Sequence, residues 1–173
     1  MKLGNTLLRH ALHALLLLLA TLCSSLVHAD VYGDVTKMIA AGQLTEATTL
    51  AERHLQTKPR DPQMRYLKGV IQRDSGRTTE ALDTFTQLTV DYPELPEPYN
   101  AMAVLLAAQG SYKPALEALE KAIRANPGYA VAYQNLGDVY ARMAQQAYCK
   151  TRQLNPANTE INTKLTALGS TCP

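Results

Sequence analysis

A 34-residue period constrains the fold of this chain more than any other feature. The strings GQLTEA, GRTTEA and GSYKPA begin at Gly42, Gly76 and Gly110. The alanines closing them, Ala47, Ala81 and Ala115, keep the same spacing, and so do Pro59, Pro93 and Pro127. A charged surface pattern has no reason to hold prolines in phase. Three markers in register over three copies therefore mean stacked supersecondary units, each burying its apolar face on the next.

Each copy reads as two helices and a reversal. Glycine at the reversal supplies a left-handed C-cap without a Cβ penalty. The alanine five residues on lies near the start of the second helix, where a small side chain lets two helices approach. Proline then ends that helix, because it cannot continue the hydrogen-bond ladder. Apolar residues between these marks follow helical spacing, as with Leu82, Phe85, Leu88 and Thr89, and again Leu116, Leu119, Ala122 and Ile123. The predicted helices are 31–41, 44–57, 62–75, 78–91, 97–109 and 112–125.

The fourth copy begins in step and then breaks. Tyr133, Leu136, Gly137 and Tyr140 match the opening helix, but the turn glycine due at 144 is Ala144. The closing proline due at 161 arrives at Pro156, five residues early. A deletion of that size removes the reversal itself and leaves no breaker between Ala130 and Asn155. Tyr133, Leu136, Gly137, Tyr140, Met143, Ala144, Ala147, Tyr148, Thr151 and Leu154 run on with unbroken i, i+3, i+4 spacing, which predicts one face of a single helix over 130–154. A short final helix in NTEINTKLTAL, capped by Asn158 or Thr159, closes the array.

Residues 1–29 read as a secretory signal. Lys2 and Arg9 precede the apolar run Ala11 to Leu22, and Val27 and Ala29 are small residues positioned for cleavage after Ala29. The run is shorter than the roughly 20 residues a membrane span needs. Leu22 before Cys23 departs from a lipoprotein signal. Removing the segment leaves 15 basic against 15 acidic residues, which is not the basic footprint of a nucleic-acid binder. His54 is then the sole histidine, and Cys149 and Cys172 are the only cysteines. An exported compartment permits a disulfide; the two cysteines either form one bridge or stay as thiols.

No constellation for catalysis is visible. Nucleophile–histidine–acid arrangements have only His54 to draw on. Metal sites lack a second histidine or a close cysteine pair, and Gly-rich phosphate loops are absent. Carboxylates such as Glu117 and Glu120 read as solvated helix surface. We expect neither enzyme activity nor a cofactor, metal or small-molecule substrate.

The repeat markers resemble those of the tetratricopeptide repeat family, W-x2-L-G-x2-Y…A-x3-F…P. The second copy offers Gly69, Ala81, Phe85 and Pro93; the third offers Tyr99, Ala103, Leu106, Ala115, Leu119 and Pro127. The first copy keeps Gly42, Ala47, Ala51 and Pro59. The resemblance covers roughly Val31 to Pro156. It implies an all-α, right-handed solenoid of helical hairpins, here with a long continuous helix and a short C-terminal capping helix. The expected organisation is a signal peptide over 1–29, an array over 30–156 and a cap with tail over 157–173.

In that family the first helix of each hairpin lines a concave groove. By position, the lining here would be Tyr32, Thr36 and Ile39; Tyr66, Val70 and Arg73; Asn100, Val104 and Ala107; and Gln134, Asp138 and Ala141. Tyrosines, small residues and a few hydrogen-bonding groups suit an extended peptide or a partner helix. Tyr32 and Tyr66 stand where carboxylate-clamping members carry lysines, which departs from recognition of a C-terminal tail. The resemblance implies a periplasmic or envelope adaptor, or an accessory module of cytochrome c maturation, pilus or cell-division machinery. A self-assembling structural protein is the alternative.

Overall fold

The computed structural model describes residues 30–172. The signal-like segment, with its cleavage point after Ala29, and Pro173 lie outside the described residues. Among the described residues the chain is all-helical: α1 Val31–Ala40, α2 Leu44–Thr57, α3 Pro62–Asp74, α4 Thr78–Asp91, α5 Pro96–Ala108, α6 Tyr112–Ala125, α7 Ala130–Leu154 and α8 Glu160–Ala167. The predicted boundaries shift by at most a residue or so. Ala41, Ser75 and Gln109 are C-caps outside their helices. Helix α5 starts at Pro96, whose missing N–H costs nothing at the first position.

Local chemistry sets the ends. Asp30 and Asp61 cap α1 and α3 by accepting the amides of Gly33 and Met64, at 3.1 Å and 3.0 Å. Gly42, Gly76 and Gly110 take φ of 72°, 74° and 75°, and each anchors the same reversed pair of hydrogen bonds. At the second turn these run from Gly76 N to Arg73 O and from Arg77 N to Gln72 O. Gly169 repeats that signature after α8, with Gly169 N on Thr166 O and Ser170 N on Leu165 O. The last helix therefore stops as the first helix of a hairpin does. Thr159 precedes it without a side-chain capping bond.

The core is a row of clusters, one per stacking layer. Val35, Ala47, Ala51, Met64 and Ile71 form the first. Ala81, Phe85, Leu88, Ala101 and Leu105 form the second, and Ala103, Ala115, Leu119, Ala122, Ala132 and Val139 belong to the third. The turn-following alanines Ala47, Ala81 and Ala115 are fully buried, as close helix approach requires. Cys149, Ile161 and Leu165 make a small separate cluster under the cap.

The single helix expected over 130–154 is present, spanning Ala130–Leu154 without a break. Its buried face differs from the expected one. Ala132, Val139 and Cys149 are buried, whereas Tyr133, Tyr140 and Leu154 are 49%, 52% and 74% exposed. The reason is the missing partner. Tyr133, Gly137 and Tyr140 occupy positions that would meet the second helix of their own hairpin, and that helix has been straightened away. The first half of α7 instead packs on α5 and α6 through the neighbouring line, and its second half receives α8.

Candidate functional site

The first helices α1, α3, α5 and the first half of α7 share one side of the stack. Helix α1 lies against α3, and α5 against α7. Between α3 and α5 this layer opens into a cleft of about 320 Å³, lined by Pro62, Gln63, Tyr66, Leu95, Glu97 and Pro98. Its walls are mostly apolar, with one aromatic ring and one carboxylate.

Tyr66 is seated from behind. Its ring lies 5.6 Å from that of Phe85, tilted by 46°. Burial holds its phenol above the ordinary range; Arg73 opposes that shift and Glu97 adds to it. Tyr129, just before α7, is raised chiefly by burial, and then by the fields of Tyr66 and Glu97. Both hydroxyls stay protonated at neutral pH and are available as donors.

A second cleft opens beside the first, sharing Pro62 and Gln63 and adding Tyr32, Lys58, Pro59, Arg60 and Asp61. Asp61 organises it. One carboxylate oxygen caps α3; the other accepts the Tyr32 hydroxyl and lies 2.8 Å from His54 Nε2. Tyr32 and His54 also meet edge to face, with ring centroids 5.5 Å apart. Burial works to raise the Asp61 carboxyl, but the hydrogen bonds from Tyr32, the Met64 amide and His54 outweigh it and hold the group below the usual carboxylate range. His54 is thus a packed, hydrogen-bonded residue, and the Tyr32 hydroxyl is already engaged.

The remaining expected lining residues are scattered. Asn100 is 8% exposed and accepts a 2.7 Å hydrogen bond from Asn135 Nδ2, so it ties α5 to α7. Thr36 is exposed, but its hydroxyl donates to Tyr32 O in the turn below. Arg73 is paired with Asp74 at 2.7 Å. Ile39 and Val70 are half-buried, Val104 is 40% exposed, and Gln134 and Ala141 are open. Asp138 joins Ala107, Tyr112 and Arg142 around a further cleft where α5, α6 and α7 meet. Of the expected set, then, Tyr66 alone lines the α3–α5 cleft.

Sequence reasoning does not single out Asp61, Glu97 or Asn135. The Asp–Pro step at 61–62 carries a cap signal. Nothing local marks Glu97 or Asn135, whose roles exist only once hairpins stack. Among the described residues no cluster of three or more His, Cys, Asp or Glu side chains gathers at metal-binding distance, and no helix is long and apolar enough to cross a membrane. Cys149 and Cys172 are bonded as a disulfide, their Cα atoms 5.5 Å apart.

Two family models match, both described as tetratricopeptide repeat, over residues 39–96 and 96–139. Together they cover more than half of the chain. Among solved structures, the thermophilic TPR protein TTC0263 of Thermus thermophilus is 27% identical; the match covers 82% of this chain and 81% of that one, with a TM-score of 0.61. The Sgt2 TPR domain of Aspergillus fumigatus shares the fold at 20% identity, over 68% and 79% of the two chains, with a TM-score of 0.61. YrrB, described as a TPR protein with an unusual peptide-binding site, matches at 24% identity over 65% and 59%, with a TM-score of 0.55.

Proposed function

Because the chain belongs to the tetratricopeptide repeat family, we propose that it is a protein-interaction adaptor holding a partner segment across α1, α3, α5 and the first half of α7. The carrying observation is the α3–α5 cleft. Tyr66, Leu95 and Pro98 offer an apolar bed, and Glu97 stands at its edge. An apolar anchor residue of the partner, flanked by a basic or hydrogen-bond-donating group, complements that arrangement. Phe85 behind Tyr66 and the fully buried Pro98 hold this bed in place, so little ordering is required on binding.

The same reading places the adaptor outside the inner membrane of a bacterium, released after Ala29. The order of basic, apolar and small residues over 1–29 supports this, and the Cys149–Cys172 bond suits an oxidising compartment.

Site-specific photocrosslinking in living cells tests the proposal. A crosslinker at Gln63 or Glu97 is expected to trap the same partner band, and one at Glu117 on α6 is not. Trapping at Glu117 but not at Gln63 would move the binding face to the second helices. Mass spectrometry of the purified chain checks export; a product beginning at Asp30 is expected.

A further inference from the structure

The fourth repeat contains both halves of a hairpin, yet they cannot meet within one chain. Its first half keeps the first-helix positions Tyr133, Gly137 and Tyr140. Its second half keeps the second-helix markers, counted back from the closing proline. Ala144 and Tyr148 stand 12 and eight residues before Pro156, as Ala81 and Phe85 stand before Pro93, and Ala115 and Leu119 before Pro127. The missing reversal holds these halves collinear in α7.

The consequence shows at the glycine position. A Cβ on Gly69 would stand 2.5 Å from the Phe85 ring, because the second helix of that hairpin covers it. A Cβ on Gly137, two periods later, would meet nothing within 4 Å. Among the described residues, four of the six exposed large apolar side chains lie on α7: Val131, Tyr133, Tyr140 and Leu154. Tyr133, Gly137, Tyr140, Ala144, Ala147 and Thr151 form a continuous open or half-open stripe with no charged side chain. The clusters of α5 and α6 lie on one flank and α8 on the other.

We propose that this stripe is the interface of an antiparallel homodimer, in which the second half of one α7 takes the place of the missing second helix on the first half of the other. The register follows from the intact hairpins. Tyr148, half-buried at the edge of the cap cluster with Lys164 over its ring, would turn its open side to Gly137 of the partner, as Phe85 covers Gly69. The two-fold axis then lies midway, at Arg142 and Met143, and the contact is reciprocal. A second copy is the occupant because it carries the unpaired helix that this face is patterned to receive. Shortening a turn until a hairpin cannot close is a recognised route to such an exchange.

A stable pair needs more area than the tyrosines alone supply. A 25-residue helix is about 38 Å long. Each tyrosine carries roughly 150–250 Å². With about half of Tyr133 and Tyr140 open in each copy, the four rings alone offer about 300–500 Å². The remainder of a standard interface of about 1,200–2,000 Å² requires packing along the whole stripe, including Leu154 and the alanines. The uncharged stripe meets its own copy without like-charge repulsion.

Light scattering coupled to gel filtration tests this on the full chain, expressed from its first residue and purified as the cell delivers it. Twice the chain mass is expected. Tyr140→Glu charges the stripe without touching the repeat cores; a twofold fall in mass with unchanged helical circular dichroism is expected. Copying Gln109 to Lys113 between Arg142 and Met143 restores the five missing residues and a turn glycine, and should give a monomer with a closed fourth hairpin. If that insertion fails to fold, Tyr140→Glu alone decides. A wild-type mass of one chain across the concentration series overturns the proposal. So does a dimer that survives Tyr140→Glu, or one that survives a folded insertion. None of these outcomes depends on whether the α3–α5 cleft binds a peptide.

Discussion

Gly69 lies directly beneath the ring of Phe85, so closely that any side chain at 69 would strike it. This contact fixes the distance between α3 and α4 and seats Tyr66 from behind. The next hairpin solves the same problem differently, with Ala103 and Leu119 in one cluster. A small residue opposite an aromatic ring and an alanine opposite a leucine are alternative fillings of equal architecture.

Gly69→Ala is therefore expected to destabilise the array even though alanine favours the helix by about 1 kcal/mol. Overpacking of about 1–3 kcal/mol should exceed that gain. Adding Phe85→Leu reproduces the third-repeat pair and should recover much of the loss. Urea unfolding of the two single variants and the double variant reads the coupling; strict additivity would show that the contact is not shared.

Asp61 predicts a dependence on acid. Its folded-state carboxyl lies below the ordinary value because hydrogen bonds from Tyr32, Met64 and His54 overcome burial. A depressed carboxyl contributes stability that is fully present above the unfolded value of about 3.9 and is lost as pH falls through the folded value. Urea midpoints followed from neutral pH to about pH 3 should fall more steeply for the wild type than for Asp61→Asn, which retains the cap but cannot ionise. Parallel curves would remove Asp61 as a source of acid lability.

The disulfide should act locally. Contacts in a solenoid run between neighbours, and Cys149–Cys172 closes a loop of separation 23 that holds only the end of α7 and α8. Losing such a cross-link typically costs about 2–4 kcal/mol, more than the small cluster of Ile161 and Leu165 is expected to withstand. Under reductant, amide exchange in 160–170 should accelerate while 31–125 stays protected. Uniform acceleration along the chain would instead mean that the cap supports the whole array.

Asn100 and Asn135 give a fourth expectation. Asn100→Ala leaves the Asn135 amide short of an acceptor at a half-buried site, a loss of about 1–3 kcal/mol. It should lower thermal stability, and Asn135→Ala added to it should cost little more. Equal, additive losses would deny the bond any role in joining α5 to α7.

The architecture was legible because its markers are local. A glycine that must take positive φ, an alanine where helices touch and a proline that ends a ladder act through the backbone, so their 34-residue spacing alone places Gly42, Gly76 and Gly110 at turns and merges the fourth hairpin into α7. What the tertiary structure decided is which face each residue shows. Tyr133 and Tyr140 sit at first-helix positions, yet stay exposed because burial needs an opposing helix. Asn100 sits at a lining position, yet is taken up by Asn135. Glu97 becomes part of a cleft only when α3 and α5 stand apart. Periodicity specifies where a chain turns; burial depends on which neighbour arrives, and that is settled only when the units pack.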